Sequence, residues 1–140
     1  MPQIDFYILS SNDPIAIACR LLEKAYEHNC TVYVHTASEA MATQLDEKLW
    51  TMKDTSFIPH QLVSDIAETT PPIFIGFGEQ FPEYPAEILM NITPELPEFA
   101  TQFERIMHIV PAGEPEWLAK AREYFKDFKE QEWQINHHKI

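Results

Sequence analysis

The chain has 140 residues, 45% of them hydrophobic, a size that suits one domain (1-140) burying roughly two-thirds of the surface its unfolded form exposes. Its 22 acidic residues against 10 lysines and arginines leave a net charge of -12, which repels phosphate backbones and disfavours direct, non-specific DNA binding, and no direct sequence-specific DNA binding is expected either. No basic leader precedes an apolar run and no stretch approaches the ~20 apolar residues of a spanning helix, so a cytoplasmic protein with no membrane contact is expected.

Ile4 to Leu9 is an apolar run rich in β-branched and aromatic residues, the form of a buried strand. Ser10-Ser11-Asn12-Asp13-Pro14 punctuates it, with Asp13 a natural N-cap and Pro14 suited to the first helical position of a helix running to about His28. Thr31 to His35 predicts a second strand, and Thr36 with Glu39 has the form of a capping box for a second helix, striped by Met41, Ala42, Leu45 and Leu49 and ending at Trp50. Strand-helix alternation of this kind argues for a parallel sheet with helices on both faces.

The middle of the chain is less regular. Phe57-Ile58 and Leu62-Val63 could form a short strand interrupted by Pro59, and Ile73 to Ile75 predicts a firm one. Gly76 to Pro85 reads as a loop, Ile88 to Ile92 as a strand, Phe99 to Phe103 as a short helix and Ile106 to Val110 as the last strand. Glu114 to Trp133 predicts the final helix. At roughly 100° per residue, Trp117, Leu118, Ala121, Phe125 and Phe128 fall on one apolar stripe. Arg122, Lys126 and Lys129 line up beside it, while Glu116, Glu123, Asp127 and Glu130 collect on the far side. The basic row reads either as a binding ridge or as solvated charges making helix pairs such as Glu123 with Lys126.

Catalytic chemistry finds little support. A phosphate-binding turn after the first strand needs glycines, and none of the three in the chain lies there. Ser10, His35 and Gly76 could mark a small-molecule or nucleotide site at the strand ends, and Ser10, His35 and Asp13 a hydrolytic set, but no nucleophile elbow accompanies them. The histidines show no metal spacing, and His137-His138 reads as a frayed tail. Cys19 and Cys30 read as structural thiols of a reducing compartment. No catalytic residue, metal or cofactor is expected.

What remains is binding. An apolar groove bordered by arginine and lysine on a negative surface would select a partner that ends in acids and a hydrophobic group. The stretch Leu45 to His60 offers a second surface, since Trp50 and Phe57 stand where a helix leaves the core. They read either as rings that close the core or as anchors for a protein partner.

Asp46-Glu47-Lys48-Leu49-Trp50 followed by Ser56-Phe57-Ile58-Pro59-His60 carries a resemblance. With the Phe6-Tyr7 strand, Phe99-Ala100 to Phe103, and Ala121-Arg122-Glu123-Tyr124-Phe125-Lys126, the order and spacing resemble the chi subunit of bacterial DNA polymerase III holoenzyme over nearly the whole chain. The resemblance implies a three-layer α/β/α fold with a mostly parallel sheet of about five strands, nucleotide-binding-like but without a phosphate-binding loop. It also implies a non-catalytic bridge in replication. One surface would hold the psi subunit of the clamp loader or, in some bacteria, a helicase; another would hold the acidic C-terminal tail of single-stranded DNA-binding protein, which ends in aspartates and Ile-Pro-Phe.

By motif position, Arg122, Phe125, Lys126 and Lys129 correspond to the tail-binding helix and Val110 to the strand end that walls its pocket. Leu49, Trp50, Phe57 and Ile58 correspond to the psi-facing surface. The chain departs from the pattern at Leu118, where a second basic residue is expected, and Lys120 falls on a different face of the helix.

Overall fold

Apolar runs with period two become strands when both of their faces are covered, and here six pairings join seven strands, all of them parallel. The structure, a computed structural model, describes residues 2–50, 60–62, 73–77 and 86–139. In chain order these residues form β1 (Gln3–Ile8), α1 (Pro14–Glu27), β2 (Val32–Thr36), α2 (Glu39–Trp50), β3 (His60–Leu62), β4 (Ile73–Phe77) and β5 (Ile88–Ile92). A 3-10 turn (Glu98–Gln102), β6 (Arg105–Val110), α3 (Pro115–Glu130) and β7 (Gln134–Lys139) complete it. The sheet order is β3-β4-β2-β5-β6-β1-β7.

Alternation along each strand sends side chains to two cores. On the front face Tyr7, Val34, Met90 and Ile109 pack under Ala18 and Leu22 of α1 and Leu45 and Leu49 of α2. On the back face Phe6, Tyr33, Leu89 and Ile106 pack under Ala121 and Phe128 of α3 and Phe103 beyond the 3-10 turn. The three-layer α/β/α architecture read from the sequence is therefore present, with seven strands in place of about five.

Local chemistry sets the helix ends. The Asp13 carboxylate accepts from the Ala16 amide at 3.2 Å, as its position predicts. The box expected from Thr36 and Glu39 does not form: Thr36 is the last residue of β2, its hydroxyl donates to the Gly76 carbonyl at 2.8 Å, and Ser38 caps α2 through the Met41 amide at 3.2 Å. Helices α1 and α3 end alike. In α3 the Trp133 amide reaches the Phe128 carbonyl at 3.0 Å and the Glu132 amide reaches Lys129 at 3.1 Å, with Glu132 left-handed at φ 63. That turn stops α3 at Glu130, short of the expected Trp133, and seats the Trp133 ring on Phe128 at 4.7 Å between centroids.

Past that turn, His137-His138 is not a frayed tail, and β6 is not the last strand. Gln134–Lys139 pairs along the whole of β1 as the sheet's edge. The physical reason is Asp5, 1% exposed in the middle of β1. Its carboxylate accepts from Arg105 Nε at 2.9 Å, Asn136 Nδ2 at 3.0 Å, His138 Nε2 at 3.3 Å and Gln3 Nε2 at 3.1 Å. Tyr7 stacks on His138 at 4.6 Å and Phe6 on His137 at 5.8 Å. Burial pushes the Asp5 carboxyl up, but the bonds from Arg105, Asn136 and His138 outweigh it and hold the group below its ordinary value.

Glycine 76 and Phe77 belong to β4 rather than to a loop. A Cβ on Gly76 would stand 2.1 Å from the Tyr33 hydroxyl, so this glycine makes room for a buried ring on the neighbouring strand. Cys19 and Cys30 are both free thiols, and burial pushes Cys19 up to about 11.

Candidate functional site: the flank of α3 that faces β7

Helix α3 starts beyond the Ala112-Gly113 turn that follows β6, where Gly113 adopts φ 79, and it returns over the back face to feed β7. Its apolar stripe is laid against the sheet as its periodicity predicts: Ala121 and Phe128 are buried, and Trp117, Leu118 and Phe125 are half-buried against the same core. Residues Arg122, Phe125, Lys126 and Lys129, at three- and four-residue spacing, share the next face.

Phe125 is the hinge between core and surface. Its ring stacks on His137 of β7 at 5.0 Å and leans on Phe6 at 6.4 Å, so the edge strand supplies a wall that the helix alone lacks. Lys129 places its ammonium 6.0 Å from the centre of the same ring. Arg122 and Lys126 are exposed and make no ion pair among the described residues. Lys139, exposed at the end of β7, falls on the back face with His137. The outcome is a half-buried aromatic with Lys129 beside its ring, Arg122 and Lys126 exposed on the same helix face and Lys139 on the same face of the edge strand as His137, on a chain of net charge -12.

The other flank of the helix is opposite in sign. Lys120 is taken up by Glu95 at 3.8 Å and Glu123 at 3.7 Å, which replaces the expected pairing of Glu123 with Lys126 and leaves Lys120 away from the basic row, as the spacing predicts. Val110 is 1% exposed at the end of β6, so it shapes the core under α3 instead of offering surface. Leu118, where a basic residue was expected, packs against that core.

On the stretch expected to meet psi, Leu49 is buried in the front core and presents no surface. Phe57, Ile58 and the Trp50 side chain lie outside the described residues. The strand-end set is only half assembled. His35 and Gly76 are register partners on β2 and β4, whereas Ser10 follows β1, three strands away from β2, or roughly 14 Å at the usual spacing. Asp13 is spent on its helix cap, so the hydrolytic set does not meet. Among the described residues no group of three His, Cys, Asp or Glu side chains could hold a metal ion, and no helix is long and apolar enough to cross a membrane.

Reasoning from sequence missed the contribution of β7. His137 carries no signal of its own in a polar hexapeptide; the signal, had it been read, was Asp5 isolated in an apolar strand.

Residues 1–136 match the profile of the family described as DNA polymerase III chi subunit, HolC. The chain is 38% identical to the DNA polymerase III subunit chi of Pseudomonas aeruginosa over 143 aligned positions, covering 100% of this chain and 98% of that protein. It is 30% identical to the protein of the same name from Haemophilus influenzae, with 94% and 92% covered, and 24% identical to that of Escherichia coli, with 97% of each covered.

Proposed function

This chain belongs to the DNA polymerase III chi subunit family, a family of replication subunits, and from that premise we propose that it is a non-catalytic adaptor which binds the C-terminal tail of single-stranded DNA-binding protein along α3 and β7. The observation that carries this reading is Phe125, half-buried on His137 with Lys129 beside its ring and with Arg122 and Lys126 exposed on the same face of α3. A peptide ending in aspartates and Ile-Pro-Phe complements that arrangement. Its terminal ring can lie beside Phe125, Arg122 can take the terminal carboxylate with two parallel bonds, and the lysines can meet the aspartates. The negative field of the remaining surface disfavours the same peptide elsewhere.

A second surface, around Trp50 and Phe57, is proposed for the psi subunit or a helicase, on the strength of family membership and of the exit of α2 at Trp50. Together the two surfaces would tether the clamp loader to DNA already coated by single-stranded DNA-binding protein. The test is calorimetric titration with a peptide ending Asp-Asp-Asp-Ile-Pro-Phe at low and high salt. Binding that weakens with salt, needs the terminal Phe and is lost in Arg122→Ala supports the reading. Equal affinity for wild type and Arg122→Ala rejects it.

A further inference from the structure

The acidic flank of α3 and the switch point of the sheet meet in a cleft that the tail-binding reading leaves unused. Strands β2 and β5 are neighbours, yet the chain leaves β2 over the front face into α2 and leaves β5 over the back face into the 3-10 turn. Connections that part in this way open a crevice at the carboxyl ends of the strands, where open α/β sheets bind ligands. A cleft of about 880 Å³ lies there, lined by His35, Thr36, Leu96, Phe99, Glu98 and Glu116. It shares Pro94, Glu95 and Glu116 with a second recess of about 320 Å³ that runs beside α3 to Glu123.

Its chemistry selects an occupant. Glu98 and Glu116 have no cationic partner among the described residues. His35 is 6% exposed, and its Nδ1 has no hydrogen-bond partner. Burial lowers the affinity of the ring for a proton below its ordinary value, which favours the neutral form with its one acceptor nitrogen. Phe99 stands edge-on to it, 5.9 Å between centroids. The far wall is held in place before any ligand arrives: Asn91 Nδ2 donates to the Thr93 carbonyl at 3.1 Å and the Glu95 carbonyl at 3.3 Å, and the Tyr124 hydroxyl accepts from the Leu96 amide at 3.0 Å.

Carboxylates at the rim repel phosphate, the ligand that this sheet geometry ordinarily serves. A neutral acceptor and an aromatic ring between unpaired carboxylates match a planar cation with several donors, which is a guanidinium. The cleft is larger than one side chain, open along α3, and set in a field of net charge -12 that draws basic partners. We propose that this cleft binds an arginine side chain presented by an extended, basic segment of a partner protein.

The test titrates the ¹⁵N-labelled full chain with the blocked peptide acetyl-Gly-Arg-Pro-Arg-Gly-amide, with its lysine counterpart, and with acetylarginine amide. Expected are saturable shifts at the amides of Thr36, Glu98, Phe99 and Glu116 and at the His35 ring nitrogens. The double variant Glu98→Gln/Glu116→Gln should bind at least tenfold more weakly with an unchanged amide spectrum elsewhere, and His35→Phe should weaken binding by a smaller factor. Shifts scattered over the acidic surface overturn the proposal, as does undiminished binding by the double variant. Equal affinity for the lysine peptide overturns the guanidinium assignment, and equal affinity for acetylarginine amide overturns the partner segment in favour of a small-molecule site.

Discussion

The two long flanks of α3 are built from one sequence of sixteen residues and carry opposite signs. Toward β7 stand Arg122, Lys126 and Lys129, with Phe125 leaning on His137; toward the β5 loop stand Glu116 and Glu123, with Lys120 neutralised between Glu95 and Glu123. The apolar stripe lies between them on the side that meets the sheet. Net charge alone describes only the second flank, because a sum over the surface erases a local reversal of sign. Each flank also borrows its floor from elsewhere: the basic one from the edge strand, the acidic one from a buried polar row in the sheet.

That difference in flooring can be broken from either side, and acid acts first on the acidic flank. Asn91 Nδ2 lies 3.0 Å from His108 Nδ1, and His108 Nε2, buried with the ring edge-on to Phe6 and Tyr124, has no hydrogen-bond partner. Burial lowers His108 to about 4, and His35 is also lowered by burial. Because the unfolded chain takes up these protons first, stability is present above the unfolded value near 6.5 and is lost as pH falls toward 4. For His108 alone, a drop from 6.5 to about 4 corresponds to about 3 kcal/mol. Urea midpoints taken between pH 7 and pH 4 should fall accordingly, and His108→Gln should flatten the slope.

Asp5→Ala breaks the basic flank instead. It removes the acceptor shared by Asn136 and His138 while Arg105, 41% exposed, stays partly solvated. A loss of about 1.5–3 kcal/mol is expected from urea denaturation, with faster amide exchange confined to β7. Tail-peptide affinity should drop with it, while the arginine peptide should still shift Glu98 and Glu116. Phe125→Leu sharpens the contrast with less damage: stability changes by under about 1.5 kcal/mol, whereas loss of the stack on His137 weakens the Phe-ended peptide by about 1 kcal/mol in calorimetry. Lys120→Ala should be the mildest. Its two partners are exposed, so stability moves by under about 0.5 kcal/mol, and affinity for the tail peptide, whose proposed site is the other flank, should be unaffected.

Where a residue's role follows from its neighbours in the chain, the sequence was sufficient. Asp13-Pro14 announced α1, the runs at Ile4, Ile88 and Ile106 announced strands, and the period of Trp117 to Phe128 set which side of α3 meets the sheet and hence where Arg122 and Lys126 lie. The absence of glycine after β1 likewise argues against a phosphate-binding turn there.

Tertiary structure decided what depends on a distant partner. Gln134–Lys139 has no apolar alternation and becomes a strand because Asp5, more than a hundred residues earlier, needs its donors. Glu132 ends α3 in a left-handed conformation that no glycine signals, since the reward is the docking of Trp133 on Phe128. Gly76 is required by Tyr33 on another strand, and the His35 cleft exists only because β2 and β5, separate in sequence, lie side by side with connections on opposite faces. Local patterns record which face of an element is apolar. Only the assembled sheet determines which polar groups are buried together, because their cost is met by partners the local sequence does not contain.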